Sequence, residues 1–219
     1  PKEPSAEGYA KLIKITADAI HEIYPEARCG ANVAGFPKPY ILDLIKYGAM
    51  EKLSFFALHP YDPHPEQSWA QRVEWLRDVF AGAGYRGADV EVWQGESGFA
   101  SWTPEKYWQP RFVRESERAQ AVWLLRRFVL DMHLDLQMSS YFQTADMMEK
   151  SYQMGASEQG SRKVARQGIL NGLTYSPKPA YHALANIASI FHDGVKPIDG
   201  QRFIAWQDDL RPLRARHDR

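Results

Sequence analysis

The sequence predicts an α/β fold built on a parallel sheet, and three observations support this. Along its 219 residues, an amphipathic helix is followed by strand and helix in alternation, four times over. The candidate strands are nearly continuous apolar runs, as expected where helices cover both faces of a parallel sheet. The length suits one domain with one large core. Parallel neighbours then need right-handed helical crossovers, which the intervening helices provide.

The elements follow from hydrophobic periodicity and turn residues. The first is a helix, because apolar residues recur every three or four positions between Ser5, a typical N-cap, and Ile23. Its apolar members are Tyr9, Leu12, Ile13, Ala17, Ile20 and Ile23. Runs of β-forming residues predict strands at Ala27–Val33, Leu53–His59, Val90–Glu96 and Leu136–Phe142. Helical stripes lie at Tyr40–Tyr47, Trp69–Phe80, Ala119–Met132 and Pro177–Phe191.

The two ends of this pattern differ in character. Residues 144–172 are polar and rich in Gly and Ser, and therefore predict a long loop. We expect one α/β domain over residues 1–193. The tail over residues 194–219 holds one further candidate strand, Arg202–Trp206, and is expected to begin a C-terminal β module.

Composition excludes several classes of partner. The chain has 27 Lys+Arg and 27 Asp+Glu, so no net field attracts nucleic acid or an acidic membrane surface. No apolar run approaches the ~20 residues of a membrane-spanning helix. The single cysteine, Cys29, excludes an internal disulfide and a thiolate zinc cluster. Phosphate-binding glycine loops and the Gly-x-Ser-x-Gly elbow are absent from the sequence, which disfavours nucleotides and acyl transfer.

One carboxylate stands out at the end of a candidate strand. Glu96 lies in the run Trp93-Gln94-Gly95-Glu96-Ser97-Gly98, where flanking glycines allow close approach of a substrate. A buried carboxylate is costly unless it is used or paired, so a functional acid is one interpretation of this position. The alternative is a glutamate in a salt bridge with a loop arginine.

A second group of polar side chains follows the preceding strand. His59-Pro60-Tyr61-Asp62-Pro63-His64 places an imidazole and a phenol where they orient a neighbouring carboxylate by hydrogen bonds. His59, Asp62 and His64 also offer three metal-ligand types, which leaves a metalloenzyme as an alternative. A proline-rich turn with a satisfied histidine is the purely structural interpretation.

Aromatic residues near the candidate strand ends indicate a sugar-binding wall. Tyr141 and Phe142 close the fourth strand, and Trp102 and Trp108 lie in the loop after the third. Aromatic faces stack on sugar rings, but they also fill cores, so packing remains the competing explanation for each of them.

Several segments, taken in their order along the chain, resemble the second half of a retaining (β/α)₈ glycoside hydrolase. They are Tyr9–Leu12 with Tyr24–Pro25, Gly30–Asn32, Leu58–Tyr61, Val92–Gly98, Tyr141–Phe142 and Ser176–Tyr181. The clan holds cellulases, mannanases, β-xylosidases and α-L-iduronidase, and the chain is most similar to the β-xylosidase and iduronidase branch with its bacterial relatives. The resemblance covers residues 5–191. It implies the C-terminal half, strands 5–8, of a TIM barrel with outer helices.

The resemblance also implies roles for individual residues. Glu96 matches the catalytic nucleophile at the end of the seventh strand. His59 and Tyr61 match sixth-strand positions that contact the nucleophile or the sugar, and Tyr141 or Phe142 lies where the clan keeps an aromatic, often Trp, beneath the sugar. No metal or cofactor is implied.

The implied mechanism needs a second carboxylate. Retaining glycosidases use two, about 5–5.5 Å apart, one as nucleophile and the other as acid and then base. In the clan the acid/base belongs to an Asn-Glu-Pro motif at the end of the fourth strand, in the half of the barrel that precedes this one. Lys2-Glu3-Pro4 imitates that motif, but no strand precedes it.

Half a barrel would leave both sheet edges unpaired and would therefore associate with another chain or with its missing half. We expect the chain to be a fragment of a longer enzyme, inactive alone, rather than one subunit of a split barrel or one of two copies that close a barrel. The substrate would be an oligosaccharide or glycoside. A non-catalytic carbohydrate-binding barrel or accessory half is the alternative, and the resemblance suggests a secreted or periplasmic protein.

Overall fold

The computed structural model describes residues 5–85, 89–101, 116–147 and 166–191. Within them, helices and strands alternate as expected. The helices are α1 (Ala6–Ile23), α2 (Lys38–Lys46), α3 (Pro65–Gly82), α4 (Glu117–His133) and α5 (Pro179–Ile190). The strands are β1 (Gly30–Ala34), β2 (Phe55–His59), β3 (Glu91–Ser97) and β4 (Met138–Tyr141). A short 3₁₀ helix at Ala49–Lys52, which the periodicity does not predict, leads from α2 to β2.

The four strands form one parallel sheet in the order β1-β2-β3-β4. The predicted α/β fold with a parallel sheet is therefore confirmed. In register, Asn32 of β1 pairs with Ala57 of β2, and Leu58 pairs with Gln94 of β3. The register shifts between Gln94 and Ser97, where β3 meets β4. Because all strands run the same way, their C-terminal ends lie at one edge of the sheet.

Alternation along the strands separates a helix-covered face from an open face. On β1, Ala31 and Val33 are buried while Asn32 is exposed. Phe56 and Leu58 of β2 and Val92 of β3 are also buried and pack with helical residues in the larger core. The helical members of that core include Ile13, Ile41, Leu44, Trp69, Val73, Leu76 and Phe80. In the described residues helices thus cover one face rather than both, contrary to what the apolar runs indicated, and the opposite face carries polar residues such as Asn32.

The buried face of α1 differs from the predicted one. Ser5 caps the helix as expected, its Oγ accepting from the Gly8 N–H at 3.1 Å. The buried residues, however, are Ala6, Ala10, Ile13 and Ala17. Leu12 is 58% and Ile23 71% exposed. Small alanines let the helix lie close to the sheet, so the larger side chains point elsewhere.

A second, smaller core joins the last two helices to the sheet. Phe99, Trp123, Leu124 and Ala180 are buried there. Two ion pairs are also buried, Arg127–Asp131 on α4 and Lys178–Asp146 before α5. In the described part of the chain, no helix combines the length and apolar character that crossing a bilayer requires. Lys2-Glu3-Pro4, Trp102, Trp108 and the tail over 194–219 lie outside the described residues.

Candidate active site

Glu96 lies near the C-terminal end of β3, with its carboxylate between a phenol and an imidazole. The Tyr61 hydroxyl donates a short hydrogen bond to Oε1. His59 Nδ1 lies 3.5 Å from Oε2. The side chain is 32% exposed, so it is neither sealed in the core nor fully solvated. Among the described residues the carboxylate is therefore bonded by Tyr61 and approached by His59, and no arginine forms a salt bridge with it.

The loop after β2 places Tyr61 beside Glu96. β2 ends at His59, and the parallel register brings this end next to the end of β3. The Asp62 carboxylate organises the turn, accepting from the His64 N–H at 2.9 Å and from Ser68 Oγ at 2.5 Å. The Asp62 carbonyl accepts from Trp123 Nε1 of α4 at 2.8 Å. The backbone around Tyr61 is thus fixed from α3 and α4.

Tyr61 remains a hydrogen-bond donor in this environment. Burial raises the pKa of its hydroxyl far above the ordinary value, and the hydrogen bond to the Glu96 carboxylate raises it further. The proton therefore stays on the phenol over the physiological pH range. A neutral donor orients the carboxylate without adding a positive charge.

Two glycines explain why small residues flank Glu96. A Cβ at Gly95 would lie 3.1 Å from the Ala57 Cβ and 3.5 Å from His59 Cδ2 and Nε2. A Cβ at Gly98 would overlap the carbonyl oxygen of Phe142. The glycines thus admit the His59 ring and the end of β4, in addition to leaving Glu96 accessible.

Sequence reasoning missed Asn32 as a site residue. Its Nδ2 lies 2.8 Å from His59 Nε2, on the opposite side of the ring from Glu96. The signal was present in the sequence, since Asn32 is a polar residue alternating with the apolar Ala31 and Val33 of a buried strand. Without the register between β1 and β2, its partner was not identifiable.

The aromatic candidates occupy different environments. Tyr141 is packed among α4 residues, with its ring centroid 6.2 Å from that of Trp123. Its hydroxyl donates to the Phe99 carbonyl at 3.2 Å and accepts from Gln120 Nε2 at 3.1 Å. Burial raises the pKa of this hydroxyl well above its usual range. Phe142, also half-buried, donates its N–H to the Ser97 carbonyl at 2.8 Å, next to Glu96.

The potential metal ligands do not converge. The His59 ring contacts Asn32 and Glu96, whereas the Asp62 carboxylate bonds Ser68 and the His64 backbone. Within the ranges that the structure describes, no three His, Cys, Asp or Glu side chains are grouped so as to hold a metal ion.

Comparison with known proteins gives a likeness of fold. No protein-family model and no curated protein matches the chain. Among solved structures, a glucosidase from Croceicoccus marinus has a TM-score of 0.62 at 13% identity, covering 85% of this chain and 36% of that one. A GH2 β-galacturonidase from Eisenbergiella tayi has a TM-score of 0.59 at 13% identity, covering 87% of this chain and 32% of that one.

A family 39 glycoside hydrolase from Bacteroides cellulosilyticus is similar to the same extent. Its TM-score is 0.58 at 17% identity, covering 83% of this chain and 37% of that one. The chain thus spans about a third of the length of these structures. Its α/β fold with four parallel strands matches part of the fold found in glycoside hydrolases.

Proposed function

We propose that this chain carries the nucleophile of a retaining glycoside hydrolase, and that the nucleophile is Glu96. The observation that carries the proposal is the carboxylate near a strand end, held by Tyr61 and His59 and partly open to solvent. The fold likeness to glycosidases supports the same assignment. In such folds the C-terminal ends of the strands form the active face.

The reaction proceeds in two displacements. A Glu96 oxygen bonds to the anomeric carbon as the bond to the leaving-group oxygen breaks, and a second carboxylic acid donates a proton to that oxygen. Water then attacks the anomeric carbon, giving a proton to the second carboxylate, and the ester to Glu96 breaks with retention. The second carboxylate comes from outside this chain in the proposal.

The remaining candidate residues contribute binding. Tyr61 and His59 orient Glu96 and contact the sugar of the reacting subsite. Phe142 and Trp102 supply aromatic surface for sugar stacking, whereas the Tyr141 ring packs against Trp123 in the second core. The substrate is therefore an oligosaccharide or glycoside.

The same proposal treats the sheet as strands five to eight of a TIM barrel. The open edges of the sheet support this proposal, because in the described residues β1 and β4 each pair with one strand only and a further strand can add to each. Exposed apolar side chains also lie on α1, at Leu12, Ile20 and Ile23. Ion pairs from Lys14 and Asp18 mark the side of α1 that faces the 3₁₀ helix, and these apolar residues lie on a different side.

Replacement of the nucleophile tests the function. In the full-length protein, Glu96→Gln should lower kcat by at least about 10³-fold while preserving the fold, because the amide cannot form the glycosyl ester. Glu91→Gln on the same strand is the control and should retain turnover. A 2-fluoro glycoside with an activated leaving group should label Glu96, as found by peptide mass spectrometry. Retained turnover in Glu96→Gln would disprove the assignment.

A catalytically inactive sugar-binding barrel is the second candidate. It is favoured by the engagement of a carboxylate in the loop after β2, since Asp62 accepts hydrogen bonds from Ser68 Oγ and from the His64 N–H instead of facing a substrate as a second acid. If the fluorinated glycoside binds the full-length protein without labelling Glu96, this second function replaces the first.

A further inference from the structure

The His59 ring is constrained on three sides. Asn32 Nδ2 lies 2.8 Å from Nε2, and Glu96 Oε2 lies 3.5 Å from Nδ1. The backbone of Gly95 faces the ring edge, where an added Cβ would come within 3.5 Å of Cδ2 and Nε2. Asn32 lies on β1, His59 on β2, and Gly95 and Glu96 on β3. The arrangement therefore depends on the pairing of these three strands in the sheet.

With Nδ2 rather than Oδ1 of the Asn32 amide facing the ring, the contact at Nε2 specifies one neutral tautomer. An amide nitrogen is a donor only, so a bond from Asn32 Nδ2 requires His59 Nε2 to accept. The ring proton of neutral imidazole then resides on Nδ1, which faces the Glu96 carboxylate. The opposite tautomer would turn a lone pair of Nδ1 toward the negative oxygen, and its Nε2–H would meet the amide N–H groups.

Asn32 is itself held firmly enough to direct a neighbour. The Tyr9 hydroxyl of α1 accepts from the Asn32 N–H and donates to the Asn32 carbonyl, each at 3.2 Å. The residue also lies within β1, in register with Ala57. Its side chain therefore projects from a fixed backbone rather than from a loop.

We propose that Asn32 is a positioning residue that keeps His59 in the Nδ1–H tautomer, so that the protonated nitrogen is the one that lies 3.5 Å from Glu96 Oε2. This rests on the proposed function of Glu96 for its catalytic consequence, but not for the tautomer. The neutral donor orients the carboxylate and leaves its charge available for attack. The same N–H can bond the carbonyl oxygen of the glycosyl ester.

The tautomer is measured directly in the full-length protein. With [¹⁵N]histidine labelling, two-bond ¹H–¹⁵N correlation spectra distinguish Nδ1–H from Nε2–H, and His59→Gln identifies the His59 signals. We expect Nδ1–H in the unmodified protein. Asn32→Asp replaces the amide by an acceptor and should place a proton on Nε2. Protonation at Nε2 alone in the unmodified protein would overturn the proposal, whether or not Glu96 is a nucleophile.

Kinetics test the consequence of the tautomer. Asn32→Leu should lower kcat about tenfold, the value of one neutral hydrogen bond, with KM changed less than about threefold. Asn186→Asp, an equal charge change on the exposed face of α5, is the control for Asn32→Asp and should alter neither readout. Unchanged spectra and kcat in both Asn32 variants, with an intact fold by circular dichroism, would refute a positioning role.

Discussion

Glu91 and Glu96 stand near opposite ends of β3 and have opposite surroundings. Burial pushes the pKa of Glu91 upward, but bonds from Arg28 at 2.6 Å and Trp93 at 2.8 Å, with the Arg28 charge, lower it overall. Glu96 instead contacts a phenol and an imidazole. Glu91 is thus paired with a full positive charge, whereas among the described residues no arginine forms a salt bridge with Glu96, a difference that the proposed role of Glu96 requires.

Removal of the Tyr61 hydroxyl tests this difference. Tyr61→Phe should reduce kcat about 10²-fold, the effect of losing one preorganised donor. Tyr85→Phe, which alters a half-buried phenol remote from Glu96, should leave kcat unchanged.

The stability of the protein should also depend on the Tyr61 hydroxyl at high pH. Since the pKa of Tyr61 is raised on folding, the contribution of this hydroxyl to stability is complete below about pH 10 and declines above it. The decline measured by urea unfolding should be smaller in Tyr61→Phe; equal declines would contradict the burial argument.

The sequence allowed part of this site to be predicted at the level of residues. Their places at strand ends and the resemblance to glycoside hydrolases predict that His59 and Tyr61 lie beside Glu96, and the structure places the three side chains together. The contact of Asn32 with His59 could not be predicted, because it depends on the register between β1 and β2. The close approaches at Gly95 and Gly98 likewise depend on neighbours distant in sequence.

Among the elements, the buried Lys178–Asp146 pair joins the segments that follow β3 and β4 to the start of α5. Lys178 Nζ lies 2.7 Å from Asp146 Oδ1 and 3.1 Å from Ser101 Oγ. Asp146 Oδ1 also accepts from the Gly168 N–H at 3.0 Å. Both charged residues are at least 95% buried. One ion pair therefore connects the segments that follow the C-terminal ends of β3 and β4.

Breaking this pair should be costly. Lys178→Met leaves a buried carboxylate without its cation and should lower the free energy of unfolding by about 3–5 kcal/mol, measured by urea titration. The double variant Lys178→Met/Asp146→Asn should recover much of the lost stability, because it removes the unpaired negative charge. The amide oxygen of the introduced asparagine still accepts from the Gly168 N–H. Lys14→Met breaks the exposed pair with Glu51 and should cost less than about 1 kcal/mol. Equal losses in the single and double variants would contradict this explanation.

Element order was predictable, whereas the orientation of α1 was not. Periodicity and turn residues gave helices and strands close to the observed ranges, because local propensity and tertiary packing agree there. On α1, both Leu12 and Ala10 fit an apolar stripe, but only Ala10 is buried. The choice depends on how closely the helix approaches the sheet, which the pattern does not encode.

At the scale of the molecule, the proposed barrel predicts that the exposed apolar side of α1 is covered in the full-length protein. Leu12→Glu combined with Ile23→Glu should then bury unpaired charge and lower the free energy of unfolding by at least about 3 kcal/mol. Leu42→Glu, a 46% exposed leucine on α2, is the control and should cost less than about 1 kcal/mol. Chemical unfolding measures both, and similar small losses would show that nothing packs on α1.

The Tyr9 hydroxyl has a consequence for how such a barrel is completed. It already occupies both polar backbone groups of Asn32 at the outer side of β1. At Asn32 the edge of β1 therefore offers no bare N–H or C=O group to a further strand. The Tyr9 side chain thus disfavours indiscriminate strand addition at this position of the exposed edge.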